Sequence, residues 1–128
     1  MKRKMIGVIL FMSFFWIQPA HADEWSGKDT AWEATCLVLM MADWAQTSNM
    51  VHRGFLLDGK EVNEINPILG RRPDSQKVDL YFASAILTHV GMSYLLPNPY
   101  RRYFQMGTVG LELFIIGNNY GIGMKMSW

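Results

Sequence analysis

Apolar residues recur at helical spacing in three long runs, separated by polar connections. The first run opens at Asp29-Thr30. Thr30 and Glu33 have the spacing of a capping box, in which a hydroxyl and a carboxylate satisfy free N–H groups of the first turn. The helix continues through Cys36-Leu37-Val38-Leu39-Met40-Met41-Ala42 to about Met50, with Asp43, Gln46 and Thr47 making a polar face at its far end. From Thr30 to Met50 such a helix reaches roughly 30 Å at ~1.5 Å per residue, the thickness of a bilayer core. Asp74 or Ser75 caps the second helix, apolar from Leu80 to Leu96 except for Ser84, Thr88, His89 and Ser93. Pro97-Asn98-Pro99 stops it and starts the third, with Asn98 as cap and Pro99 at the first helical position. The third helix runs from about Tyr100 to Gly117. Gly107 and Gly110 offer smooth patches for close helix contact, and Glu112 lies one turn beyond Thr108. Asn118-Asn119 ends it.

Between the first two helices, His52 to Lys77 is a polar connection with turn signals at Asp58-Gly59, Asn66-Pro67 and Gly70. Asn66 is suited to start a turn, since its side chain can bond the backbone two residues on, and Gly70 permits φ > 0. The last nine residues alternate: Tyr120, Ile122, Met124, Met126 and Trp128 are separated by Gly121, Gly123, Lys125 and Ser127. This period of two resembles the terminal strand of an outer-membrane barrel, but about eight strands are the minimum for one. The expectation is a short extended tail that frays or lies on a membrane surface.

The N-terminus has the form of a secretory signal. Lys2-Arg3-Lys4 precedes an apolar stretch from Met5 to Trp16, Pro19 breaks it, and Ala20-His21-Ala22 supplies small residues for a peptidase. Cleavage after Ala22 is expected, leaving residues 23–128 as one helical membrane domain. That portion carries nine basic and eleven acidic residues, a net charge of −2. Three crossings from an external N-terminus place Arg53, Lys60, Arg71, Arg72, Lys77 and Lys125 inside and Lys28, Arg101 and Arg102 outside. The bias follows the positive-inside rule, with Arg101-Arg102 opposing it locally.

Composition agrees. Half of the chain is apolar and only 18% is charged, below the ~25% usual for soluble domains. Five Trp and ten Met suit membrane boundaries and irregular gaps between helices. No basic stripe suggests a nucleic-acid partner. Cys36, the single cysteine, lies in an apolar run and reads as a buried, inert thiol. There is no phosphate-binding glycine loop, no Gly-x-Ser-x-Gly, no Cys-x-x-Cys and no pair of histidines at zinc-ligand spacing. No cofactor is implied.

Asp43-x-x-x-Thr47, followed by Glu64-x-Asn66-Pro67-Ile68-Leu69-Gly70 and an apolar helix, resembles a loose group of small, uncharacterised multi-pass membrane proteins of bacteria and their phages. The likeness covers roughly Asp43 to Leu96. It implies membrane architecture and no chemistry; the cleavable signal and longer charged loop depart from the pattern.

The residues singled out as a candidate polar site are Asp43, Thr47, Glu64, Asn66, His89 and Glu112. Ionisable groups inside a membrane cost about 2.5–3.5 kcal/mol at mid-helix, so each needs a partner or a function. The structural expectation pairs Asp43 with Asn66 or a loop N–H, and Glu112 with His89. The functional alternative brings Asp43, His89 and Glu112 together for metal binding or proton-coupled chemistry. Together these features describe an all-α protein, a three-helix membrane bundle with a polar hinge loop. The expected role is non-enzymatic, in the bacterial inner membrane, with lipid, another envelope protein or a second copy as partner. A soluble periplasmic helical domain is the rival, and an outer-membrane location the remaining one.

Overall fold

The computed structural model describes residues 24–124 and 126. The expected signal peptide lies outside them. Among the described residues there are three helices: α1 (Gly27–His52), α2 (Ser75–Leu95) and α3 (Tyr100–Gly121). A two-stranded hairpin, β1 (Leu56–Leu57) and β2 (Lys60–Glu61), follows α1. The all-α reading with three helices therefore holds.

Several element ends differ from expectation. The capping box of α1 is Ser26 with Asp29, not Thr30 with Glu33: Asp29 N donates to Ser26 Oγ, and Ser26 N donates to Asp29 Oδ2. Glu33 is instead buried, and Thr30 Oγ1 accepts from Trp25 Nε1. Asp74 caps α2 as expected, accepting from Lys77 N at 2.8 Å. Pro99 occupies the N-cap of α3 without a side-chain bond, so Asn98 is not the cap. Asn118 and Asn119 continue α3 rather than ending it, and Gly121 lies within the helix. Of the expected extended tail, residues 125, 127 and 128 lie outside the described residues, and Met124 packs into an apolar cluster. Gly107 and Gly110 are exposed with open space at each, so they do not serve close helix contact.

The connection is more ordered than its composition suggests. Asp58 (φ 51°) and Gly59 (φ 76°) make a two-residue turn with both φ positive, the geometry that matches strand twist. Asn66 Oδ1 accepts from Ile68 N and Asn66 O accepts from Gly70 N, while Gly70 adopts φ 80°, as the turn chemistry implied. Lys77 Nζ ties the loop to α2 through Leu69 O at 2.7 Å.

Helix directions follow from side-chain pairs. Asp29 meets Arg101, Glu33 meets Gln105 and Gln46 meets Asn119, with sequence separations of 72, 72 and 73, so α1 and α3 run parallel and in register. Glu33 meets His89 while Trp44 meets Asp79, so α2 runs antiparallel between them in the chain's order. Among the described residues, the apolar core clusters lie at the loop end. Met50, Phe55, Leu57 and Met124 form one, and Leu69, Val78 and Phe82 the other. Trp44 stacks on Phe82 beside the second.

Candidate functional site

The interior of the three-helix segment is polar. On α1 the inward positions are Asp29, Glu33, Cys36, Met40, Asp43, Thr47 and Met50, spaced alternately by four and three residues. On α3, Arg101, Gln105, Thr108, Glu112, Ile115 and Asn119 follow the same alternation. This is the seam of a left-handed helix bundle, occupied largely by polar groups. Apolar residues occupy the opposite faces: Leu87 is 73% exposed and Phe114 74%, and Val38, Leu80, Tyr94, Tyr103 and Leu111 are also exposed. Across residues 30–51, 80–99 and 103–121, no Asp, Glu, Lys or Arg is exposed.

Three layers divide the seam. At the N-terminal end of α1, Asp29 (0% exposed) receives Arg101 Nη1 at 3.1 Å and Arg102 Nη2 at 2.7 Å. Ser26 Oγ donates to the same carboxylate at 2.7 Å. Arg101 Nε also donates to Ser93 O, and its guanidinium lies 5.0 Å from the Trp25 ring centroid, within cation–π range. One carboxylate thus anchors two guanidiniums, and the backbone carbonyl of Ser93 on α2 completes the junction.

The middle layer joins all three helices. Glu33 Oε1 and His89 Nδ1 are 2.9 Å apart, both buried. Gln105 Nε2 donates to Glu33 Oε2 at 2.9 Å and to Asp29 O at 3.2 Å, linking this layer to the first. Thr108 Oγ1 donates its only proton to Phe104 O, so it accepts from His89 Nε2 at 3.0 Å. That arrangement directs the Nε2 edge of His89 at Thr108 and the Nδ1 edge at Glu33. Phe104 stacks on the imidazole at 4.6 Å. Cys36, fully buried, directs Sγ at Gln105 O at 3.4 Å.

The third layer holds the remaining acids. Asn119 Nδ2 donates to Asp43 Oδ1 at 3.2 Å and to Gln46 Oε1 at 3.0 Å, and Gln46 Nε2 reaches Ile116 O at 3.5 Å. Glu112 is buried, within electrostatic range of Asp43, and its Oε2 has no hydrogen-bond partner. Among the described residues, neither Asp43 nor Glu112 has an ion-pair partner.

The structure therefore divides the residues that the sequence had grouped. Asp43, Thr47 and Glu112 face the interior. Glu64 and Asn66 belong to the loop, where Glu64 Oε1 accepts from Asn66 N at 2.8 Å and Glu64 adds its charge near Asp43. Asp43 pairs with Asn119, not Asn66. His89 pairs with Glu33, not Glu112, because the antiparallel course of α2 sets His89 level with the N-terminal half of α1. Asp29, Glu33, Arg101, Gln105 and Asn119 were not singled out as site residues, although their four-three spacing was readable; Gln46 had been placed only on the polar face of α1. Heptad patterns are sought as apolar repeats, and this one is inverted.

Comparisons with protein-family models, with curated proteins and with solved structures return no match to this chain.

Proposed function

We propose that this chain is a small membrane-embedded helical bundle with a non-enzymatic role in the bacterial envelope. The supporting observation is the inverted distribution of polarity: charged and amide groups inside, apolar side chains outside. In water this arrangement would expose large apolar side chains on all three helices, where soluble monomers rarely show apolar patches above a few hundred Å². In lipid it is favourable, since helices associate there through polar contacts and close packing rather than through apolar burial. No helix among the described residues is long and apolar enough to cross a membrane by its averaged hydropathy. That average counts the buried seam, whereas lipid meets only the outer faces. At ~1.5 Å per residue the helices of 26, 21 and 22 residues measure about 39, 32 and 33 Å, against a hydrocarbon core of about 30 Å.

Charge placement supports an orientation with the loop on the cytoplasmic side. Arg101 and Arg102, which opposed it in the sequence, are both committed to Asp29. Arg53, Lys60, Arg71, Arg72 and Lys77 remain exposed at the other end. The resemblance to small multi-pass membrane proteins fits the same reading. Alkaline carbonate extraction of membranes from expressing cells tests it. Retention in the inner-membrane pellet is the expected result; release as a soluble protein overturns the reading in favour of a periplasmic bundle.

A second reading is favoured by Glu112. A buried carboxylate with an unpartnered oxygen beside Asp43 suits exchange of a proton or small cation. His89 is not part of that pair. Loss of biological effect in Glu112→Gln with helicity and membrane retention unchanged would favour this reading; an unchanged effect would dismiss it.

A further inference from the structure

We infer that Glu33, Cys36 and His89 form a binding site for one thiophilic divalent metal ion of the zinc type. One ligand atom from each of the three lies within 4.8 Å of the others, and all three residues are buried. Glu33 and Cys36 are three residues apart on α1, so both project toward the same side; His89 comes from α2. Carboxylate oxygen, thiolate sulfur and imidazole nitrogen are all established zinc ligands, and the thiolate disfavours magnesium and calcium.

Two further observations point to a ligand rather than to a closed hydrogen-bond network. Gln105 is fully buried and bonded to Glu33 through Nε2, yet its Oε1 has no partner. The amide that touches the Glu33 carboxylate thus keeps an unsatisfied buried acceptor. The outer shell is also in place. Thr108 accepts from His89 Nε2–H and thereby turns Nδ1 toward Glu33. A ring nitrogen held in this way, with the other directed at a neighbouring ligand group, matches the outer-shell support common around a metal-bound histidine.

A groove of about 700 Å³ borders the site on its His89 side, with Thr108 and Phe104 also in its lining. The inference does not rest on the membrane reading, because the site is buried whichever solvent covers the exterior.

The test is titration of the purified full chain, in detergent micelles, with Co²⁺ alone and with Zn²⁺ as competitor. The expected result is one Co²⁺ per chain with a sulfur-to-cobalt charge-transfer band, abolished by Zn²⁺ and absent in Cys36→Ser of unchanged helicity. His89→Gln is expected to weaken Co²⁺ binding at least tenfold while the thiol remains. His52, exposed on the surface, can bind cobalt but cannot give the thiolate band. A wild-type chain without that band overturns the proposal, as does a band that persists in Cys36→Ser or affinity unchanged in His89→Gln.

Discussion

Two buried carboxylates in this molecule have opposite energetic characters. Asp29 receives two guanidiniums, a serine hydroxyl and a backbone N–H. Removing its charge strands Arg101, which is 1% exposed. Breaking a buried pair costs about 3–5 kcal/mol; the position of this cluster at the bundle end favours the lower figure. Asp29→Asn should therefore lower stability by about 3 kcal/mol in detergent unfolding. Glu112 is the reverse case. Its Oε2 makes no hydrogen bond, and Asp43 lies near enough to oppose its charge. Replacing an uncompensated buried acid by its amide relieves desolvation and repulsion. Glu112→Gln should leave stability unchanged or raise it in the same assay; a loss comparable to that of Asp29→Asn would show that Glu112 is a structural strut. The sequence marked Glu112 as costly, but it placed Glu33 in a cap and Arg101 in a topological count. Long-range partners such as Asp29 and Arg101 emerge only once the register of α1 against α3 is known.

At the scale of elements, the helices were readable because apolar runs and proline punctuation are local signals. Their ends were less so. Ser26 with Asp29 and Thr30 with Glu33 both satisfy the capping-box spacing, and tertiary burial of Glu33 decides between them. Ser26→Ala should destabilise by about 1 kcal/mol, seen as faster amide exchange confined to the first turn of α1. Asp58-Gly59 marked a turn but not a hairpin, because strands of two residues are too short for a periodic pattern. Gly59 at φ 76° has open space where a Cβ would go, so the cost of Gly59→Ala is conformational rather than steric. It should lower stability by about 1 kcal/mol, measurable by thermal unfolding. The apolar clusters that the hairpin and Leu69 help to build close one end of the bundle, which leaves the polar seam as the interior of the rest.

For the whole molecule, the decisive property is the solvent for which the exterior is built. The outer faces are apolar on all three helices and carry no charge over most of their length. The interior is instead held by the Asp29–Arg101 ion pair and a ladder of side-chain hydrogen bonds. The membrane reading proposed above takes hydrocarbon to cover the outside of such a molecule. Leu87→Lys, placing a charge at mid-helix on the outer face, should disfavour insertion by about 2.5–3.5 kcal/mol, read as loss of membrane-retained protein. Lys60→Leu in the exposed loop should leave retention unchanged. The most direct measurement asks what covers the outer face. With Cys36 replaced by Ser, single cysteines at Leu87, Phe114 or Lys60 carry a fluorophore in reconstituted vesicles. Labels at 87 and 114 should be quenched by brominated acyl chains and shielded from aqueous iodide, and the label at 60 should show the opposite. Iodide quenching at 87 and 114 with no response to brominated lipid would contradict a lipid-facing exterior.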